Sequence, residues 1–597
     1  MAVSPGPAPA GTGHGLAQAG TSAGSARQAR QPAPVPASTD RASTDRASTG
    51  RASTGRASTG RSDPVAWLIA LAAFAAYTTI SVFRYLRLDP GSWDLGIYTQ
   101  YVWQIAHLHA PVVTIRGPGF NLLGDHFQPI VALVAPFFRL FPTPVTLLVA
   151  QALLAAVSVV PVCRAARDLL GTGVSRVIGA AYGFSWGLQQ MIIFDFHEIA
   201  FAVPLLACSL SALVRRRPRA AAAWALPLVF VKEDQGLTVA AIGLLMLAVA
   251  AGARTGRGRD GTGLASTGLA SAARAGGAGP VGRGGAEGAA GAGAWGWPGA
   301  LLVCWGLAGS ALAIAVIIPH FNPAHHYAYW SDGGVLSPGG SHLSAGRVLA
   351  QLTQGGPEKL RTTVLVLLPV VFLALRSPLA SVAVPGLALR FLSTNSDFWG
   401  TQWHYDATLM PIVFVAAIDG LARIQARAAT RQARPASGQP WPGGIWAGAR
   451  PGAIWPQARP GTRAAWYAAA AMAAVAAGLA FQFPLAGLWN ARTYQISPQV
   501  RAERAAIARV PAGTTVESTL TMLAPLATRD TTFWIGTPGN PVTRYIVYDA
   551  AASGYTHPPT DIPGFLDTRY PGVTYQAVFH KDHVYVFRAS VTARKLG

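Results

Sequence analysis

Four short segments of this 597-residue chain concentrate groups able to move protons or hold phosphate. Asp94 stands in SWDLGIYTQYVWQIAHLH, Asp125 and His126 in GDHFQP, Asp195, His197 and Glu198 in FDFHEIAF, and Lys232, Glu233 and Asp234 in VKEDQGL. A carboxylate set beside aromatic surface can be desolvated, which raises its pKa and fits it to take a proton as a general base. The plainer reading of Asp94 is a helix N-cap accepting a first-turn N–H. Asp195, His197 and Glu198 offer three oxygen or nitrogen donors within four residues, but lack the two-histidine helical spacing of an HExxH site. No cofactor is assigned and a divalent metal stays open; a hydrogen-bonded lock between loops is the alternative. Three ionisable residues in a row, Lys232 to Asp234, cannot all face lipid, so at least one must face a cavity or a partner. Lys232 is one of four lysines in the chain, with Lys359, Lys581 and Lys595. It suits the phosphate of a lipid head group, or else snorkels to the interface.

Two aromatic clusters add to these. His325, His326, Tyr327, Tyr329 and Trp330 form one, and Trp399, Trp403, His404, Tyr405 and Asp406 the other. Interfacial belts account for many such Trp and Tyr residues. His404 beside Asp406, close to an apolar run, points instead to the wall of a site for a sugar or polar head group.

The elements that must hold these residues are apolar. Hydrophobic residues make up 51% of the chain and charged residues 12%, with a mean hydropathy of +0.32, whereas an ordinary soluble protein carries roughly 25% charged residues. The formal charge of +22 could alone mark a nucleic-acid binder. Apolar runs of the roughly 18 to 20 residues that span hydrocarbon exclude that class, and no nucleic-acid partner is expected. The pattern predicts about eleven spans, near 65–86, 144–163, 174–192, 198–214, 219–231, 237–251, 298–318, 362–376, 378–394, 407–424 and 464–488, with Pro129–Phe141 a half-length or re-entrant helix. About 63 polar residues precede the first run, which predicts a retained anchor rather than a cleaved signal peptide. Cys163, Cys208 and Cys304 lie far apart with no ligand-like spacing, so neither a disulfide framework nor a zinc site follows.

Arginine fixes the expected orientation, because it is retained on the cytoplasmic side of short loops. The N-terminal tail carries Arg27, Arg30, Arg41, Arg46, Arg51, Arg56 and Arg61, and the alternate loops hold Arg164, Arg215, Arg254, Arg376 and Arg423. With the N-terminus cytoplasmic, every acidic and histidine cluster falls on the outer face. Residues 1–63, with the five-residue repeat ASTDR and ASTGR, are expected to be a disordered tail. Residues 64–489 form the membrane domain, interrupted by low-complexity inserts at 252–296 and 425–463 that are expected to be mobile cytoplasmic loops. Residues 490–597 have the composition of a soluble α/β domain outside the cell, with strands at 514–518, 531–535 and 545–548 and a hairpin around His580 to His583. The segment after Asp94, with Ile97, Tyr101, Ile105 and Leu108 at helical spacing, is expected to lie on the surface as an interfacial amphipathic helix.

Taken together, WDLGIYTQYVW, GDHFQPIVALVAPFFRLFP with TLLVAQALLA, FDFHEIAFAVPLL, VKEDQGL and VPAGTTVESTLTMLAPLATRDTTFWI resemble the bacterial and archaeal membrane-protein family termed domain of unknown function 2079, over roughly residues 65 to 590 outside the two inserts. That family resembles a branch of the GT-C superfamily of multi-span glycosyltransferases, which take sugar from a polyprenyl phosphate and carry an acidic residue in the first outer loop. Asp94 occupies the corresponding place. The repetitive tail and the inserts depart from the family pattern, all on the expected cytoplasmic side.

The resemblance implies a transferase of the bacterial cell membrane with a polyprenyl-phosphate sugar donor and a cell-envelope glycan or lipid acceptor. Asp94 would be its base, and Lys232 and His404 would meet the lipid phosphate. Asp125, His126, Asp195, His197, Glu198 and Glu233 would line the cavity. A transporter or flippase of a polar lipid and a non-catalytic envelope protein are the alternatives. A transporter would set polar groups at mid-span on facing helices, whereas here nearly all fall at span ends.

Overall fold

The computed structural model describes residues 63–91, 93–261, 283–331, 345–432, 461–551 and 559–590. The expected disordered tail, apart from Asp63, and the central parts of both inserts lie outside the described residues. The parts of the inserts that are described are helical. Gln235–Gly261 and Arg283–Leu312 extend into the first expected insert, and Leu409–Gln432 into the second.

The molecule is a polytopic helical membrane protein with a small C-terminal sheet domain. Among the described residues, six helices are long and apolar enough to cross a membrane: Pro64–Leu86 (α1), Pro144–Leu170, Gln235–Gly252, Gly293–Phe321, His404–Ala429 and Arg463–Ala480. The other five expected spans are present as shorter helical pieces. The 174–192 run divides into Thr172–Gly183 and Trp186–Ile193, and Pro227, Pro369 and Pro385 interrupt or open pieces of three others. Each proline removes a backbone donor and crowds the preceding turn. Pro129–Leu140 is a short 3-10 and α segment that exposes Leu133, Phe137 and Leu140, the half-length element its sequence predicts.

α1 opens on Asp63, whose carboxylate accepts from Val65 N at 3.1 Å and pairs with Arg176 at 2.9 Å. Arg215 pairs with Asp168 at 2.7 Å beside it in sequence order of the same loops. These bonds tie the arginine-rich end of the bundle.

The helix that follows α1, Asp94–Ala106 (α2), departs from expectation in two ways. Its N-cap is Trp93, so Asp94 is the first helical residue rather than the cap. Nor does it lie on a surface: Leu95 to Val102 and Ala106 are buried. Ala135–Leu140 and Pro144–Val157 of the membrane domain pack against it, and so does Leu523–Ala527 of the C-terminal domain.

That domain is a five-stranded sheet ordered β2-β1-β3-β5-β4. β1 (Thr515–Ser518) pairs in parallel with β2 (Thr531–Trp534) and β3 (Tyr545–Asp549), and β5 (Val584–Ser590) runs antiparallel to β3 and β4 (Thr574–Lys581). The short helix Leu523–Ala527 forms the crossover from β1 to β2, as a parallel pair requires. Residues of this crossover and of the β2 edge seat the domain on α2. A Cβ on Gly96 would lie 3.0 Å from Ile115 Cδ1 and 3.2 Å from Leu523 Cβ, so the crossover packs closely on α2 at this glycine. Gln100 Nε2 and Thr114 Oγ1 donate to Thr532 O at 2.9 and 2.6 Å, and Thr537 Oγ1 donates to Ile115 O at 2.9 Å. Trp93 packs edge-on against Trp534 at 4.6 Å.

Candidate active site

The loop Phe194 to Glu198 is shaped by one buried residue in the Pro144–Leu170 helix. Gln151 is fully buried; its Nε2 donates to Asp195 O and, at 3.0 Å, to Met191 O, while its Oε1 accepts from His197 N at 2.9 Å. Asp195 takes φ +80°, a left-handed conformation that Asp adopts more readily than most residues. The turn sends the Asp195 carboxylate to Gly91 N, which donates to it at 2.9 Å.

Beyond that turn His197 and Glu198 enter a dense polar cluster. Glu198 is fully buried, and its Oε2 lies 2.8 Å from His197 Nδ1 and accepts from the Tyr98 hydroxyl. Tyr98 stands one helical turn after Asp94 on α2, on the same face, with Gln128 Oε1 2.9 Å from its hydroxyl. Lys232 Nζ meets the other oxygen of Glu198 at 3.3 Å. The His404 ring stacks on His197 with 3.6 Å between centroids, and its Nδ1 is buried without a hydrogen-bond partner. The loop carrying His404 is held by Arg390, which pairs with Asp406 at 2.7 Å and donates to Phe398 O and Gly400 O.

A second cluster adjoins through the neighbouring residue Glu233. Its carboxylate accepts from Tyr327 at 2.8 Å and from Phe127 N at 3.1 Å, and lies 2.7 Å from His126 Nδ1. Tyr329 stacks on His126 at 4.5 Å, and Asp125 pairs with Arg116 at 2.9 Å. All nine residues singled out from the sequence thus belong to one region at one end of the bundle: Asp94, Asp125, His126, Asp195, His197, Glu198, Lys232, Glu233 and His404. Tyr98, Gln128, Gln151, Arg116 and Arg390 complete it without having been expected. Of these, Gln151 and Arg390 left a legible trace, each a polar side chain inside an apolar run.

The electrostatics separate the charges by role. Burial pushes the half-buried Asp94 up to about 7, helped by the carboxylates of Glu198 and Asp195 and opposed by Lys232. Burial alone would strip Lys232 of its proton, but Glu198, Glu233 and Asp234 outweigh it and hold the ammonium well above its usual range. Burial would also raise Glu233, yet His126 and Lys232 bring it down to about 2. The region therefore contains a carboxyl group shifted toward neutrality and an ammonium that stays charged.

The Asp-x-His-Glu segment does not gather as a metal triad. Asp195 faces Gly91 N, Glu198 is engaged by Lys232, Tyr98 and His197, and no group of three His, Cys, Asp or Glu side chains able to hold a metal occurs among the described residues.

Residues 84–448 match the family described as "Predicted membrane protein (DUF2079)". No curated protein matches the chain. Among solved structures it is similar to ArnT from Cupriavidus metallidurans bound to undecaprenyl phosphate, at 13% identity and a TM-score of 0.44, over 88% of this chain and 99% of that one. It is also similar to the oligosaccharyltransferase of Archaeoglobus fulgidus in complex with zinc and sulfate, at 12% identity and a TM-score of 0.37, over 87% of this chain and 72% of that one.

Proposed function

The chain belongs to the DUF2079 family of predicted membrane proteins, and on that footing we propose that it is an integral-membrane glycosyltransferase. In this reading it moves a sugar from a polyprenyl-phosphate donor to a cell-envelope acceptor at the outer face. The observation that carries it is one polar cluster in which Lys232 Nζ lies 3.3 Å from the fully buried Glu198 and half-buried Asp94 feels both charges, its carboxyl pushed up to about 7 by burial. A lipid-linked sugar needs both a cation and a base. The acceptor hydroxyl gives its proton to the Asp94 carboxylate as its oxygen bonds to the anomeric carbon. The bond from that carbon to the phosphate oxygen breaks, and the polyprenyl phosphate leaves with the electron pair. Lys232 meets the negative charge that grows on the leaving phosphate, and the unpartnered Nδ1 of His404 offers a further polar contact beside it. Glu198 and Glu233 keep Lys232 charged, and His197 and His126 hold those carboxylates in turn.

Deleting the gene and profiling envelope glycans and polyprenyl-phosphate sugars by mass spectrometry tests this. Loss of one glycan with build-up of its lipid-linked donor is the expected result. An unchanged profile of both pools would overturn it.

A further inference from the structure

The end of α2 remote from Asp94 carries groups that the transfer chemistry does not use. The helix closes in a Schellman turn, with His109 N donating to Gln104 O and Leu108 N to Ile105 O, both at 2.9 Å. Leu108 takes the left-handed place in that turn, with φ +61°, where glycine is usual. Its side chain is 93% exposed, so no burial within the protein offsets the strain. What the turn does is set His107 and His109, both exposed, beside each other. Their ring centroids lie 6.3 Å apart with the planes tilted by 30°, and Trp103 packs on His107 at 4.2 Å.

Hydrogen bonding fixes which nitrogen of each ring is free. His107 Nδ1 lies 2.8 Å from Trp103 O, a carbonyl oxygen that can only accept. His109 Nδ1 lies 3.2 Å from Gln104 Oε1, and that amide is oriented by its Nε2, which donates to Val112 O at 3.3 Å. Both neutral rings therefore carry their proton on Nδ1 and donate it. Each Nε2 keeps its lone pair. Proteins prepare an imidazole for metal in this way, tying the second nitrogen to an oxygen that sets the tautomer and steers the ring. With a Zn–N bond of roughly 2.0 to 2.1 Å, an ion on Nε2 stands about 3 Å from the ring centroid. Two centroids 6.3 Å apart are thus within reach of one ion.

Charge decides the kind of ion. Arg139 Nη1 donates to Ala106 O at 2.5 Å, so a guanidinium stands beside the turn and opposes a cation held by charge alone. Both Nδ1 partners are neutral oxygens. Magnesium and calcium bind through carboxylate and carbonyl oxygens, which the two free nitrogens do not supply; first-row transition ions take imidazole. The carbonyl end of α2 adds a partial negative charge in their favour. We propose that His107 and His109 form a surface site for a divalent transition-metal ion of the zinc or copper kind, with water completing its shell. Two protein ligands make it an exchangeable site rather than a closed structural one. It stands apart from the candidate active site and does not depend on the transferase reading.

Titrating the tag-free, full-length protein in detergent with zinc chloride, followed by calorimetry, tests this, with magnesium chloride as the control. Zinc should bind at least tenfold more tightly than magnesium, and replacing both histidines, His107→Gln with His109→Gln, should remove one equivalent of bound zinc. Because both side chains are exposed, that variant should melt as the wild type does when no zinc is added. Gln104→Leu, which takes away the oxygen that holds His109, should weaken the same equivalent about tenfold. Zinc binding that is unchanged by the double substitution would overturn the site, and magnesium binding as tight as zinc would overturn the assignment of the ion.

Discussion

At the scale of single residues, Asp94 is where function and stability oppose each other. Folded Asp94 keeps its proton up to about 7, whereas an unfolded Asp releases it near ~3.9. The folded state thus binds the proton more tightly, and stability falls as pH rises between those values. Asp94→Asn, which cannot ionise, should therefore melt at a higher temperature than wild type at pH 8, by thermal unfolding in detergent. The same change should lower transfer by at least about 10²-fold and abolish a rise in rate centred near pH 7. A wild-type rate in that variant would move the base elsewhere. Lys232 makes the converse case. Lys232→Met leaves the fully buried Glu198 without its cation, which should cost about 3 to 5 kcal/mol of stability. Adding Glu198→Gln should restore most of the melting temperature but none of the transfer, and recovered transfer would remove Lys232 from the chemistry. Both residues were legible because an ionisable group beside a long apolar run has few bland explanations. Tyr98 was not, since a tyrosine among YTQYVW looks like any interfacial aromatic until Glu198 is seen against its hydroxyl.

At the scale of elements, the loop between Ile193 and Glu198 depends on a residue from another helix. Gln151→Leu preserves size but leaves Asp195 O and His197 N buried and unpaired, each about 1 to 3 kcal/mol. The variant should melt earlier and transfer about tenfold or more slowly, because His197 and Glu198 lose their placement. Wild-type rates in a destabilised protein would show that the loop geometry is irrelevant to the reaction. The apolar run around Gln151 was readable as a membrane helix, but its purpose was not. A glutamine in TLLVAQALLA gives no hint of a partner 44 residues away, and the left-handed turn at Asp195 is held by that partner together with Gly91. Breaks in the other expected spans were half legible, since Pro and Gly mark where a helix weakens without saying whether neighbours hold its pieces in line.

At the scale of the whole molecule, the arginine-rich loops and the candidate site occupy separate ends, and the arginine pattern of the sequence leads us to propose that the sheet domain lies outside. With the three native cysteines replaced, a membrane-impermeant reagent applied to intact cells should label a cysteine at Asp582 and not one at Arg216, both exposed positions. The reverse pattern would turn the site inward. The strands of the sheet domain were readable as short strand-like runs, yet its seat was not. Leu95, Ile97 and Tyr101 announce that α2 has an apolar face, and nothing in them tells lipid from protein as the cover. The cover is protein, and it carries a consequence in time. Gln100 and Thr532 are 432 residues apart, so the share of the α2 seat that the sheet domain supplies forms only when almost the whole chain has left the ribosome. A product cut short by a premature stop codon would reach the membrane with its apolar helices in place and the Asp94 helix held by Glu198 and Gln128 but not by Thr532. On the transferase reading, the helix that carries Asp94 therefore takes its final seat late in synthesis.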